Sequence, residues 1–130
     1  MMKKNGNVHA DSIHIHSLRL KCFVGVTAKE RSARQIISAD LTLKCDLCRA
    51  GKSDSLRETV DYAAIVAAVR KAASRGTFAL LESLAERIAV VCLSLPMVKE
   101  TIVKVSKSGI WRDVKSVEVE IIRKRDIRNT

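Results

Sequence analysis

Lys107 closes the run Thr101-Ile102-Val103-Lys104-Val105-Ser106-Lys107 and stands just before Ser108-Gly109, where the sequence predicts that a strand breaks. Side chains alternate across a strand, so Lys107 shares a side with Val103 and Val105. An ammonium at the rim of an apolar face gives up water, and desolvation favours the neutral amine that takes part in proton transfer. Taken by itself, the residue also reads as a strand-end lysine with its head in solvent. Two other groups invite chemistry. His14 and His16 fall on one strand face at a spacing that zinc enzymes use, but Ile13 and Ile15 occupy the other face. A catalytic zinc takes three protein ligands, and the remaining histidine, His9, falls in a predicted tail. The pair therefore reads as the polar side of a first strand, and no metal is expected. Cys45 and Cys48 would point to opposite faces of a regular strand, because Leu41, Leu43, Cys45 and Leu47 alternate with Thr42, Lys44, Asp46 and Cys48. With Cys22 and Cys92 standing alone, all four read as small apolar residues in a reducing compartment.

The elements that must position these groups follow from periodicity. A first strand runs from Ile13 to about Val26, but Leu18, Leu20, Cys22 and Val24 sit on the parity opposite to Ile13 and Ile15, which predicts a bulge near Ser17. Thr27 to Arg34, with Lys29, Glu30, Arg31 and Arg34, reads as a connecting loop, and a second strand spans about Gln35 to Cys48. Gly51-Lys52-Ser53-Asp54-Ser55 is turn chemistry. The helix that follows has Asp61 or Thr59 as its N-cap, a stripe of Ile65, Val66 and Val69, and a glycine cap at Gly76. Leu81, Leu84, Ala85, Ile88, Val91 and Cys92 define a second helix over about Leu80 to Leu95, stopped before Pro96. Thr101 to Lys107 and Lys115 to Arg123 complete the chain as strands. The order ββααββ predicts an α+β fold: a four-stranded antiparallel sheet with two helices on one face. Its free edges invite closure of a barrel from several subunits.

Length and composition bound the possibilities. A chain of 130 residues suits one domain, predicted over 13–125, with a flexible N-terminal tail at 1–12 and a C-terminal tail at 126–130. Asn5-Gly6-Asn7 interrupts the N-terminus where a signal peptide needs an apolar run, and no stretch approaches membrane-spanning length. A soluble cytoplasmic protein without a membrane partner is expected. The net charge of +10, with Arg123-Lys124-Arg125 and Arg128 near the end, suits anionic partners. Nucleic acid is not expected among them, because Phe23, Tyr62, Phe78 and Trp111 are scattered where a base-stacking surface needs them grouped.

Several pieces together resemble the dihydroneopterin aldolase family over nearly the whole chain, Ile13 to Arg125. They are Val24-Gly25-Val26 with Glu30 and Gln35; Ser53-Asp54 with Thr59-Val60-Asp61-Tyr62-Ala63; Phe78-Ala79-Leu80-Leu81-Glu82-Ser83-Leu84-Ala85-Glu86; and Val105-Ser106-Lys107-Ser108-Gly109. The resemblance implies the tunnelling fold, in which four subunits close a barrel with active sites between neighbours and two rings commonly stack into an octamer. It implies retro-aldol cleavage of 7,8-dihydroneopterin in folate synthesis, with no cofactor, metal or Schiff base. Lys107 takes the place of the catalytic lysine, and Lys104 and Lys115 would assist it by like-charge repulsion if they approach. Tyr62 matches the tyrosine that reaches an adjoining subunit's pocket and assists proton transfer. Glu82 matches the anchor that accepts paired hydrogen bonds from the pterin's amino group and ring N–H, beside the backbone of Leu81. Glu30 matches the glutamate that orients the substrate side chain. Without the resemblance, Glu82 reads as a first-turn acid favoured by the helix dipole, Glu30 as a loop charge, and Tyr62 as an amphipathic ring with a wet tip.

The chain departs from the pattern after the catalytic lysine, where Ser108 replaces proline and Trp111-Arg112 replaces smaller residues. A reshaped loop is implied. Dihydroneopterin triphosphate epimerase, a close relative, is similar at these positions and in Leu18-Arg19-Leu20, and Arg112 with the basic surplus suits a triphosphate. Epimerisation begins with the same carbon–carbon cleavage, so it stands as the alternative activity. A zinc-dependent or non-catalytic pterin-binding relative, using His14 and His16 or no chemistry, is the third reading.

Overall fold

The computed structural model describes residues 11–125. Residues 1–10 of the predicted N-terminal tail (1–12) and the predicted tail at 126–130, with His9 and Arg128, lie outside the described residues, and the first strand begins at Ser12, inside the predicted tail.

That strand, β1 (Ser12–Val24), pairs antiparallel with β2 (Gln35–Lys44) from Ser12 opposite Lys44 to Cys22 opposite Gln35. The register slips between Ile15 and Leu18, as the parity change requires, and Ser17 adopts a left-handed φ of 57°. Its amide donates to Asp40 Oδ1 at 2.7 Å, so the N–H that the bulge removes from the ladder keeps a partner. The His14 and His16 rings stack at 5.8 Å on the exposed side, and His14 meets Thr42 Oγ1 at 2.9 Å. Among the described residues, no group of three or more His, Cys, Asp or Glu side chains is placed to hold a metal ion.

The connection after β1 is not all loop. It contains a helical turn, α1 (Ala28–Arg31), closed by a capping box between Thr27 and Glu30. β2 also ends earlier than periodicity predicts: Cys45 is buried, while Cys48 is exposed and opens a short helix, α2 (Cys48–Ser53), in place of a turn. Where the chain leaves the ladder, the Asp11 carbonyl accepts from the Cys45 amide at 3.1 Å and its carboxylate from the Leu47 amide at 3.0 Å.

After a 3₁₀ turn at Leu56–Glu58, α3 (Tyr62–Arg75) starts at Asp61, whose carboxylate accepts from the Ala63 and Ala64 amides. It buries Ile65, Val69 and Ala73. The expected left-handed cap at Gly76 is absent, with φ at −106°, because the chain runs straight into a fifth strand, β3 (Thr77–Phe78), parallel to the end of β1. Then come α4 (Leu81–Leu93), β4 (Glu100–Trp111) and β5 (Val114–Lys124). The sheet therefore has five strands in the order β3-β1-β2-β4-β5 rather than four. β4 does not break at Ser108-Gly109; it continues to Trp111 through a register shift.

One face of this sheet carries the core. Leu20, Ile37, Leu41, Leu43, Val103 and Val105 meet Ile65 and Val69 of α3 and Leu84 and Ile88 of α4, all buried in one cluster. Burying each such side chain contributes roughly 1.5–3 kcal/mol, so the strand–helix interface is what fixes the ends of β1, β4 and α4 relative to one another.

Two arginines of the basic C-terminal cluster make contacts within the fold. Arg123 forms a bidentate pair with Glu86, and the Arg125 guanidinium donates to the Leu93, Leu95 and Val98 carbonyls at 2.6, 2.7 and 3.0 Å. Those oxygens belong to the end of α4 and the turn after it, where helix carbonyls lack intrahelical partners. Arg125→Ala should lower stability by about 2 kcal/mol, because three carbonyls lose a charged donor. Urea unfolding measures this, and an unchanged midpoint would show that water replaces the guanidinium without cost.

Candidate active site

The site is built where β1 leaves the sheet. A Cβ on Gly25 would lie 2.2 Å from Glu30 Cβ, so only glycine lets this backbone run against Glu30. The Gly25 amide donates to Phe78 O at 2.9 Å, and the Arg31 guanidinium donates to the Gly25 and Val26 carbonyls at 2.9 and 2.8 Å. Gln35, at the start of β2, donates to the Val24 and Glu30 carbonyls at 2.5 and 2.8 Å. The segment is thereby tied to both strands. Within it, Thr27 N donates to Glu30 Oε1 at 3.2 Å, while Glu30 Oε2 accepts from Lys107 Nζ at 3.2 Å. One carboxylate oxygen holds the loop, and the other faces the lysine.

Lys107 lies on the helix side of β4, as alternation predicts, and its side chain is only 16% exposed. Of the two expected like-charge neighbours, Lys104 does not supply its surroundings. Lys104 points to the opposite face of β4 and pairs with Glu120 at 3.6 Å, and the group beside Lys107 Nζ is the Glu30 carboxylate. Glu30 is held below the usual carboxyl value of 4.5 by the Thr27 amide and then by Lys107. Nearby Cys22 is pushed up to about 11 by burial, against the opposing pull of the Lys107 ammonium, so it stays a neutral thiol.

Lys107 and Glu30 stand between two cavities. The first, about 310 Å³, is lined by Val24, Val26, Leu80, Leu81, Val117 and Val119, with Glu30, Glu82 and Lys107 supplying its charges. The second, about 600 Å³, extends past Thr27, Lys29, Gln35 and Ser108 and shares Glu30, Lys107 and Ile110 with the first. Leu81 and Glu82 reach the smaller cavity because α4 begins there. Its N-cap position, Leu80, offers no side-chain hydrogen bond, which leaves first-turn amides without a capping oxygen.

Of the residues singled out in the sequence, the fold brings Lys107, Glu30, Leu81 and Glu82 to one cavity. Tyr62 is not among them: it occupies the first position of α3, is 63% exposed, and lies outside that lining. Sequence reasoning missed Thr27, although Thr-x-x-Glu before a short helix is a capping-box signal, and it missed Ile110, whose placement depends on a backbone bulge.

An apolar cavity rimmed by a lysine and two carboxylates, mounted on a mainly antiparallel sheet with α3 and α4 packed on one face, is the kind of site that can bind a small molecule and move a proton on it. Residues 13–122 match the family model described as FolB, dihydroneopterin aldolase. A dihydroneopterin aldolase of Staphylococcus epidermidis is 36% identical over 119 residues, spanning 89% of this chain and 98% of that protein. The crystal structure of E. coli dihydroneopterin aldolase in complex with neopterin aligns with a TM-score of 0.82 at 29% identity, covering 87% and 98% of the two chains. Dihydroneopterin aldolase from Burkholderia thailandensis, bound to guanine, aligns at 0.76 and 25% identity, covering 89% and 92%. The chain belongs to the dihydroneopterin aldolase family and carries its tunnelling fold.

The Glu30 contacts set a pH dependence. A carboxyl whose folded pKa lies below its unfolded value stabilises the fold above the unfolded value, and that contribution is lost as pH falls through the folded pKa. Wild-type stability should therefore fall more steeply below about pH 4.5 than that of Glu30→Gln. Urea unfolding across that range tests it; parallel acid limbs would contradict the pairing.

Proposed function

We propose that the chain cleaves 7,8-dihydroneopterin by a retro-aldol reaction to 6-hydroxymethyl-7,8-dihydropterin and glycolaldehyde, as a lyase of folate biosynthesis. The observation that carries this is the convergence of Lys107, Glu30 and Glu82 on one cavity of about 310 Å³, a volume suited to a flat bicycle. The Glu82 carboxylate accepts from the heterocycle's amino group and ring N–H, and the first-turn amide of Leu81 adds a donor. Neopterin and guanine present this same edge, and relatives are bound to each. Val24, Val26, Val117 and Val119 face the ring.

Chemistry then occurs at the side chain. Lys107 and water relay a proton from the 2′-hydroxyl to N5, the C1′–C2′ bond breaks, and its electron pair enters the ring through the N5-protonated imine. Glycolaldehyde departs, and the resulting enamine takes a proton at C1′ and returns the N5 proton to the relay, giving the hydroxymethyl product. Glu30, fixed by Thr27 on one oxygen, orients the hydroxyls with the other. Tyr62 assists proton transfer from an adjoining protomer in a four-subunit ring, with two rings stacked as an octamer. Its exposure and its distance from the protomer's own cavity support that arrangement, as do the sheet's open edges. No described helix is long and apolar enough to cross a membrane, and four free cysteines suit the reducing cytoplasm.

Purified protein incubated separately with dihydroneopterin and with its triphosphate should release glycolaldehyde from the former. Epimerised triphosphate as the sole product would establish the alternative activity. Lys107→Ala should lower kcat by 10²-fold or more, on the order expected for loss of proton transfer, while leaving pterin affinity within about threefold. Glu82→Ala should instead abolish measurable binding by calorimetry. Equal loss of binding and turnover in both variants would remove the division of labour.

A further inference from the structure

Strict alternation along β4 would put Lys107 and Gly109 on the helix side and send Ile110 to the opposite face. The ladder with β5 breaks that rule. Ser108 pairs with Ser116 and Trp111 with Val114, so three steps on β4 answer two on β5, and one extra residue is inserted. Gly109 sits in the insertion at φ 76°, a left-handed value that favours glycine. The bulge returns the Ile110 side chain to Lys107's side, where it lines both cavities. Only Glu30, Lys107 and Ile110 belong to both linings.

We infer that Ile110, aimed by the Gly109 bulge, is a specificity-determining residue: it forms the apolar part of the partition between the ring cavity and the larger cavity that takes the substrate's polyol side chain. This rests on the reading of the smaller cavity as the pterin site. A pterin placed with its amino edge on Glu82 would direct its C6 substituent to the Lys107–Glu30 pair, and among the described residues the cavity adjoining that pair is the one lined by Thr27, Gln35 and Ser108. Ser108 offers a hydroxyl to a polyol there, and Gln35 the oxygen of an amide whose nitrogen is already bound to the Val24 and Glu30 carbonyls. Ile110 is 40% exposed, so its methyl groups remain available to a ligand carbon chain. At this gap it holds C1′ and C2′ against Lys107 and limits how far the chain slides outward.

Two variants separate contact from backbone aim. Ile110→Ala should raise KM for dihydroneopterin about tenfold, the order of one lost branched side-chain contact, with kcat changed much less. Affinity for pterin without the C6 chain should stay within about twofold of wild type, a difference that a general structural defect would not produce. No heavy atom lies within 4 Å of a Cβ built at Gly109, so substitution there acts through backbone strain alone. Gly109→Val should reproduce the Ile110→Ala phenotype with Ile110 intact, whereas Gly109→Asn, which tolerates the left-handed region, should restore near-normal KM. Equal weakening of both ligands by Ile110→Ala, or identical kinetics for the valine and asparagine variants, would overturn the inference. If wild type turns over dihydroneopterin and Ile110→Ala matches it, only this inference fails; if wild type neither binds pterin nor turns over, the functional reading fails first.

Discussion

The ion pair between Lys107 and Glu30 joins segments 77 residues apart and is the contact on which the cavity depends. It holds the β1–β2 connection against the end of β4, so the two cavities exist on either side of it. Water reaches the carboxylate, whose side chain is 42% exposed, while the lysine side chain is 16% exposed. Glu30 is also held by Thr27, whose amide and hydroxyl reach its other oxygen. Under the proposed reaction, a substrate hydroxyl competes with Lys107 for that carboxylate. An enzyme that moves a proton at this point needs a group already oriented, and the capping box supplies the orientation before any ligand arrives.

The remaining architecture serves to present that pair. Gly25 allows the backbone to pass Glu30, Gln35 ties the loop to β2, and the fifth strand at Thr77–Phe78 locks the exit of β1 by receiving the Gly25 amide. The same short strand delivers the chain to the start of α4, which brings Leu81 and Glu82 to the cavity with first-turn amides uncapped. At the other end of α4, Arg125 donates to the carbonyl of Leu93, the last helical residue, and to that of Leu95 in the turn beyond. One helix end is closed by an arginine and the other is left for a ligand. A large positive net charge thus coexists with a cavity whose own charged groups are one lysine and two carboxylates.

Much of this was legible in the chain. The parity switch between Ile15 and Leu18 announced the bulge at Ser17, alternation placed Lys107 with Val103 and Val105, and helical spacing found both long helices within a few residues of their ends. Features decided by distant groups were not legible. The two-residue strand after Gly76 exists because β1 has a free edge there, and nothing in Thr77-Phe78 alone signals it. Ser108-Gly109 looked like a stop because glycine usually ends a strand; paired against β5 it became a bulge inside one. Lys104 was expected near Lys107, but the pleat sends it to the other face. Glu82 carries no local signal beyond a first-turn acid, and its assignment came from the order of neighbouring motifs.

A crystal structure of the full chain with bound neopterin tests the central claim most directly. The account predicts the amino and ring N–H edge on the Glu82 carboxylate, with the side-chain hydroxyls beside Lys107 Nζ and Glu30. A ligand seated away from Glu82, or one whose side chain points out of the space between Lys107 and Ile110, would contradict it.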